Sequence, residues 1–513
     1  MGGAAGGTGA GGTSGNSGRV VITYIASAVD VYGVSDLADN TTIVLAIEGT
    51  LCSGFSGPVV AGSFAIPNAP IFSGDTITAW AEDGDGDITT ADEATGVTQW
   101  DGVGAITNLT VNRHVLSIGS ADNATITVTD MAHYTNSNDE DIMYGITGNV
   151  LQVDFNSSYS DETLNIISGN TLHVLAGVGA VAHDVDVNGV LDLEGTFGFS
   201  GDWDSTGGTL NAATTSTVTV QGTMDQSIIS ASESFYNLVI NNTGAPGSDD
   251  IILADALDVD GSLSITDGDL DANTNDVQIN VGGNWVMGGS GSFDEGTSTV
   301  VFDAAAGSAT ITSSSYSFYN ISFASAGAGT ATFVLQDALG VEGTLVLTTG
   351  TLDANSSGDY AVNVNGNWRN NGGTFAARSG TVTLTGGDQA VYGSTTFYNL
   401  TKTDIADDTD VALTFETGST QVITGSLLIN GVDEDDRVVL DNTGTATRFN
   451  LNVVNYSPTL SYLVVSDSEA LGNDITANNS TDLANTDSGE GSPMWIFPGA
   501  FTGPKRGAII MVD

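Results

Sequence analysis

Beyond about residue 149 the chain alternates apolar residues with Thr, Ser and Asn in short runs bounded by Gly and Asp. Examples are STVTVQG ending at Gly222, GSLSITDG from Gly261, GTLVLTTG from Gly343 and GTVTLTG from Gly380. Alternation over four to six residues between turn formers predicts half-buried β-strands. No sustained i, i+3, i+4, i+7 pattern competes with it in this half of the chain. The runs centre on Val218, Leu238, Leu257, Val277, Val300, Ile321, Leu339, Val362 and Val382, in steps of 18 to 23 residues. One such run with its turns is too small to bury its own apolar face. Stacking on neighbouring coils buries it, which is the logic of a solenoid.

A longer period overlies the short one. GDW at Gly201–Trp203 returns as GNW at Gly283–Trp285 and Gly366–Trp368. TVTV at Thr217 returns as TVVF at Thr299 and TVTL at Thr381, FYN at Phe235 returns at Phe318 and Phe397, and GSL at Gly261 returns as GTL at Gly343 and GSL at Gly425. LDAN at Leu270 returns at Leu352. Landmarks in fixed order, about 82 residues apart, mark a tandem repeat. At about 20 residues per coil, four coils are expected per repeat, and about sixteen between Asn149 and Trp495. The recurrent Trp and Phe-Tyr positions are expected to fill the wider parts of the core.

Residues 18–98 read differently. RVVITYIASAVDVYGV, TTIVLAIEGTL, GSFAIPNAPIF and GDTITAWAED are longer strands at the spacing of a small antiparallel sandwich. The fold class expected is therefore all-β: a right-handed parallel β-helix preceded by an antiparallel β-sandwich. The expected division is a Gly-rich leader at 1–17, the sandwich at 18–98, a transitional segment at 99–148, the solenoid at 149–497 and a tail at 498–513. TVTDMAHYT, in the transitional segment, is the one stretch that suits a helical turn, and MWIFPGAF is expected to close the core.

GTVTLTGGDQAVYGSTTFYNLTKT and GSLSITDGDLDANTNDVQINVGGNW resemble the repeats of large bacterial surface proteins of the filamentous-haemagglutinin and autotransporter-passenger type. The preceding segment, GDTITAW through GAITNLTVNRHVLSI to DMAHYTNSNDEDI, resembles the module that often precedes them. The resemblance covers about residues 100–495. It implies the right-handed parallel β-helix and a structural or adhesive role, and it carries over no catalytic residue.

Composition narrows the function further. Nine Lys+Arg against 62 Asp+Glu leave a formal charge of −53 in 513 residues. Such a surface repels nucleic-acid phosphates and anionic headgroups, so neither is an expected partner. A hydrophobic fraction of 40% is too high for a disordered polyacid. No apolar stretch is long enough to span a bilayer as a helix, and a soluble chain is expected. The leader MGGAAGGTGAGGTSGNSG has no basic or apolar region and reads as a linker, not a signal peptide. Lysine occurs only at Lys402 and Lys505. An acid-rich, lysine-poor surface suits salty or calcium-rich surroundings, which points outside the cell. Cys52 is the single cysteine, which rules out an intrachain disulfide and reads as a small buried hydrophobe.

The sharpest local motif is AEDGDGDITTADEA. Asp83, Asp85, Asp87 and Asp92 resemble the ligands of a dockerin-type calcium loop, with Gly84, Gly86 and Ile88 in matching places. Ala81 stands where the first ligand belongs. A second acidic cluster, Asn138, Asp139 and Asp141, could also take calcium, whereas Asp433–Arg437 reads as a solvated turn. His114, His133, His173 and His183 form no HxxxH pair, so zinc is not expected. His173 and His183 could face each other across a coil. GxSxG, P-loop and dinucleotide motifs are absent from the sequence. No catalytic residue and no cofactor besides calcium is expected.

The reading that results is an extracellular, non-enzymatic structural protein, a subunit of a self-assembling cell-surface fibre. Its expected partner is itself, by addition of the strand Gly507–Val512 to a neighbour. The alternatives are an adhesin fragment binding glycans or other cells through the solenoid flank, and a polysaccharide-active β-helix enzyme.

Overall fold

The computed structural model describes residues 26–82, 93–153, 162–327, 330–403, 409–444 and 447–498. Asp83, Asp85, Asp87, Asp92, the 1–17 leader and Gly507–Val512 lie outside these. From residue 115 onward the chain is a parallel β-solenoid. Successive strands visit three walls in turn, and from Thr163–Ile166 to Leu463–Ser466 nearly every strand pairs with the strand three later in the chain, while Tyr144–Thr147 and Val150–Val153 before them pair antiparallel. Thr217–Gly222, for example, pairs in parallel with Asn237–Asn242 through six in-register partners.

The alternating sequence explains the burial. Thr217–Gly222 buries Val218 and Val220 and turns its threonines outward, and Asn320–Ala324 does the same with Ile321 and Phe323. Buried side chains from all three walls form one continuous core from Ala46 to Trp495. A fully buried Val, Leu or Ile contributes about 1.5–3 kcal/mol. That offsets the ordering of a coil only when coils above and below cover it.

The N-terminal unit is a two-sheet sandwich, mostly antiparallel as expected, but it takes in Ile106–Thr110 from the segment expected to be transitional, and that strand pairs in parallel with Ser27–Val34. Its strands are β1 (Ser27–Val34), β2 (Thr42–Ile47), β3 (Thr50–Pro58), β4 (Ser63–Ile71), β5 (Thr76–Glu82), β6 (Thr95–Gln99) and β7 (Ile106–Thr110). One sheet runs β4–β1–β7 and the other β3–β2–β5–β6. The second sheet does not stop at the sandwich. β6 pairs in parallel with β8 (Val115–Ile118), and β8 with Thr163–Ile166, so sandwich and solenoid share one sheet. The helical turn is Val128–Met131, closed by a capping box between Thr127 and Asp130. It lies against the first coil, where Trp80 stacks on Tyr134 at 5.2 Å between centroids.

The 82-residue repeat departs from expectation. Trp203, Trp285 and Trp368 open strands that are eleven apart in chain order, and the FYN, TVTV and GSL landmarks keep the same interval. Three strands make a coil, so one repeat is three coils and two-thirds, not four coils. The sequence spacing misled because one of the four landmark steps is short: Leu238 to Leu257 and Ile321 to Leu339 advance two strands and the others three. Each repeat is therefore turned by a third of a revolution, so each landmark moves to a new wall.

The repeat encodes one corner, built identically three times. The FYN phenylalanine packs on the Trp of its own repeat, with centroids 5.4 Å apart for Trp203–Phe235, 5.1 Å for Trp285–Phe318 and 5.2 Å for Trp368–Phe397. The Tyr carbonyl accepts from the glycine of GSL one coil later: Gly261, Gly343 and Gly425 bind Tyr236, Tyr319 and Tyr398. The Asn Oδ1 accepts from the next N–H, of Ser262, Thr344 and Ser426, at 3.1, 2.9 and 2.8 Å. Glycine is required there because a Cβ on Gly343 would stand 2.6 Å from Asn320 Oδ1 and 2.8 Å from the Tyr319 carbonyl. Where the corner forms, the ladder of one wall breaks, and the break moves one wall onward in each repeat.

The C-terminal end is closed by residues 485–496. Trp495 is buried, as expected of MWIFPGAF. Asp487 accepts from the N–H groups of Ala470 and Trp495 at 3.0 Å each. Arg448 clamps the loop by donating to Glu490 and to the carbonyls of Asn485 and Thr486.

Candidate metal centre

Beside the shared sheet the last residue of β5, Glu82, meets the loop that follows the helical turn and carries Asp139 and Asp141. One carboxylate oxygen from each of Glu82, Asp139 and Asp141 lies within 4.8 Å of the others. Glu82 is exposed, Asp139 half-buried and Asp141 buried.

This loop is fixed by its own turn chemistry and by the sheet beneath. Asn138 Oδ1 accepts from the Thr135 N–H at 3.0 Å, and Asp139 Oδ1 from the Asp141 N–H at 3.3 Å. Tyr144 donates its hydroxyl to the Tyr134 carbonyl at 2.6 Å, and the Met143 N–H binds Thr95 Oγ1 at 3.1 Å. Burial pushes the Asp139 carboxyl above its usual range, and the Glu140 charge adds to that. The Tyr134 hydroxyl is raised by burial first and by Asp139 and Glu82 second. Oxygen ligands of this kind suit a hard cation such as calcium. A cation would also offset the burial that makes the charged form of Asp139 costly.

Sequence reasoning kept the acids after β5 and the acids at 138–141 apart, and it passed over Glu82. The structure joins the two segments through Glu82. Asn138 serves the turn through its Oδ1. Glu82 was findable, because it ends a strand whose sequence runs straight into the aspartate loop.

Acids also stack along the walls. Asp186 faces Asp204, Asp250 faces Asp269, and Asp271 faces Asp294 in register. At one ladder spacing of about 4.8 Å, two such charges repel by about 3 kcal/mol at an effective dielectric near 20. Burial first raises the Asp250 and Asp269 carboxyls, and nearby acids add to it, Asp225 foremost for Asp250 and Asp250 foremost for Asp269.

The remaining candidates resolve into structural roles. His173 Nε2 lies 3.4 Å from Glu194 and 3.7 Å from Asp192, while His183 Nδ1 lies 3.2 Å from Asp184. Each of these two histidines keeps its own carboxylate. The 433–437 segment is a solvated turn only in its first three residues, Asp433, Glu434 and Asp435, which are exposed. Asp436 is 2% exposed and accepts from the Thr409 N–H, while Arg437 is paired in fork geometry with Asp410. Cys52 is half-buried, at the rim of the sandwich core. Lys402, passed over in the sequence, is fully buried. It sits at an inward position beyond Leu400, and its Nζ donates to the carbonyls of Gly386 and Gly387 and to Gln389 Oε1. The signal was a lysine on the apolar side of an alternating strand, NLTKT.

No family model, no curated protein and no solved structure matches the chain. No helix among the described residues is long and apolar enough to cross a membrane.

Proposed function

We propose that this chain is a structural protein of the extracellular surface, a stiff spacer that serves as the repeating subunit of a fibre. The observation behind this reading is mechanical continuity. Seventeen solenoid strands line up along the wall that continues the sandwich sheet, from Val115–Ile118 to Trp495–Ile496, with one break in the ladder between Ser292–Asp294 and Ser317–Phe318. At about 4.8 Å per step that is a rod of about 77 Å whose coils are tied by backbone hydrogen bonds. Force along the axis loads ladders on all three walls at once, and the single break in each wall falls beside unbroken ladders on the other two.

The surface fits the same role. Outward positions carry Thr, Ser, Asn and Asp, and the charge of −53 keeps the flanks of neighbouring rods apart while leaving their ends free to meet. Lysine-poor acidity suits an environment where cations supply the screening. No catalytic step belongs to this proposal.

Electron microscopy of the purified chain, with calcium and at physiological salt, tests the reading. Filaments one solenoid wide, with an axial repeat close to the length of one chain, are the expected result. Single rods at every concentration and cation condition would reject the fibre role.

A further inference from the structure

The sandwich has several free strand edges, and they differ in how they are guarded. Edge strands are ordinarily protected by charge, proline or bulges. β4 carries Pro67 and Pro70, and its pairing with β1 skips around Asn68, which is left-handed. In β7, Asn108 is left-handed and the Thr107 carbonyl already accepts from Ala121. β3 is guarded less. Among the described residues it is the outermost strand of the shared sheet and pairs with β2 alone, and its one proline, Pro58, stands at its end. Thr50–Pro58 contains no charged residue.

β3 is bulged, and the bulge presents the strand to solvent. Val44 faces Ser56 and Ala46 faces Leu51, so Cys52–Phe55 have no ladder partner on β2 and none on the outer side among the described residues. Leu51 is 47% exposed, and Cys52 and Phe55 only partly enter the sandwich core. An apolar, uncharged stretch of edge is thus left open at the head of a strongly acidic rod.

We propose that β3 accepts residues 507–512, Gly-Ala-Ile-Ile-Met-Val, from a second copy of this chain, as an added strand. This deepens the fibre reading and rests on it. Three observations select this occupant. The run is apolar at both alternating sets of positions, Ala508, Ile510 and Val512 on one side and Ile509 and Met511 on the other. A strand beside β3 has Cys52 and Phe55 to cover on one side and Leu51 on the other, so both sets would be buried.

Reach makes the contact intermolecular. The closing strand Trp495–Ile496 lies about 77 Å along the axis from β8, and β3 lies beyond β8. Residues 499–513, fully extended, span about 50 Å. A chain cannot fill its own β3, so the donor is another copy, head to tail.

Charge fits as well. Lys505 and Arg506, two of only nine cationic residues, immediately precede the apolar run. Glu48, at the turn between β2 and β3, keeps its carboxylate partly exposed beside the acceptor.

Cys52 is the chain's only thiol and lies within the acceptor, so it reports directly on occupancy. The host is the full-length chain bearing Ile509→Asp and Ile510→Asp, whose own tail is disabled. A synthetic peptide of residues 499–513, near saturation, should slow maleimide labelling of Cys52 by about tenfold or more, and the same peptide with both aspartates should not. An unchanged labelling rate overturns the proposal.

In a second arm, full-length Ile509→Cys is oxidised. Disulfide-linked ladders are expected, and Cys52→Ser should abolish them. Filaments without any ladder overturn the placement of Ile509 beside Cys52. The two ideas fail separately. If the Ile509→Asp, Ile510→Asp chain still forms filaments, the strand donor is wrong and the fibre role stands. If the native chain forms none yet the peptide shields Cys52, the docking site stands and the fibre role fails.

Discussion

Replacing Gly343 with alanine tests whether the repeat encodes a corner or a wall. The Gly343 N–H donates to the Tyr319 carbonyl at 2.7 Å, and the next N–H, of Thr344, donates to Asn320 Oδ1 at 2.9 Å. An added methyl at 2.6 Å from that Oδ1 and 2.8 Å from that carbonyl pushes both acceptors away. Weakening two hydrogen bonds costs about 1–3 kcal/mol. The loss of backbone freedom in the unfolded chain returns about 0.4–1 kcal/mol. The net is a destabilisation of about 1–2 kcal/mol. Gly288→Ala is the internal control, because its methyl meets no atom within 4 Å and its φ is not left-handed. It should be neutral or stabilising by about 0.4–1 kcal/mol. Gly261→Ala and Gly425→Ala, on the corresponding corners, should match Gly343→Ala although each corner lies on a different pair of walls. Urea unfolding followed by circular dichroism, with the slope compared across variants, measures these differences. Equal midpoints for Gly288→Ala and Gly343→Ala, or three corner variants that rank by wall, would refute the corner account.

Other perturbations follow from the buried polar groups. Lys402→Met should cost about 2–4 kcal/mol in urea unfolding, because it strips the donor from two carbonyls and Gln389 Oε1 inside the core. Burial first, and the Asp101 charge second, push Asp122 up to about 6. A carboxyl raised in the folded state holds its proton more tightly there. Its contribution is therefore full below about pH 4 and is lost as pH rises through about 6. Asp122→Asn should raise the melting temperature at about pH 7.5 and leave it unchanged at about pH 3.5. Calcium at about a hundred times its dissociation constant should add about 2.7 kcal/mol, and a chelator should remove it. That gain should shrink in a Glu82→Gln, Asp139→Asn chain, and an equal gain would place the ion elsewhere. Monovalent salt should raise the melting temperature of the native chain, since it screens the stacked pairs Asp250–Asp269 and Asp271–Asp294.

Much of this architecture is legible without coordinates, because a strand's period of two is written directly in TVTV, SLSI and VTL. The division into coils was less so. Spacing between apolar runs counts residues, whereas walls count turns, and a landmark step of two strands looks almost as long as one of three. The sandwich strands were visible in their length, but their merger with the solenoid was not, since β6 pairs with β8 across β7, a strand that leaves for the other sheet. At the acidic site the sequence exposed the carboxylates but not their convergence. Glu82 and Asp139 are far apart in the chain, and only the fold of the capping helical turn over the shared sheet brings them near. Lys402 was hidden for the opposite reason: a charged residue is read as surface unless its place in the alternation is followed.

The third-of-a-turn offset has a mechanical consequence. Each FYN corner leaves one seam in one side of the prism, and a seam confined to a single side would hinge the shaft toward it, repeat after repeat. Because the seams fall on the three sides in rotation, their leanings cancel over three units. Tandem copying of an eleven-strand block thus lengthens the shaft without curving it, whereas a twelve-strand block would stack every seam along one edge and wind the molecule into an arc.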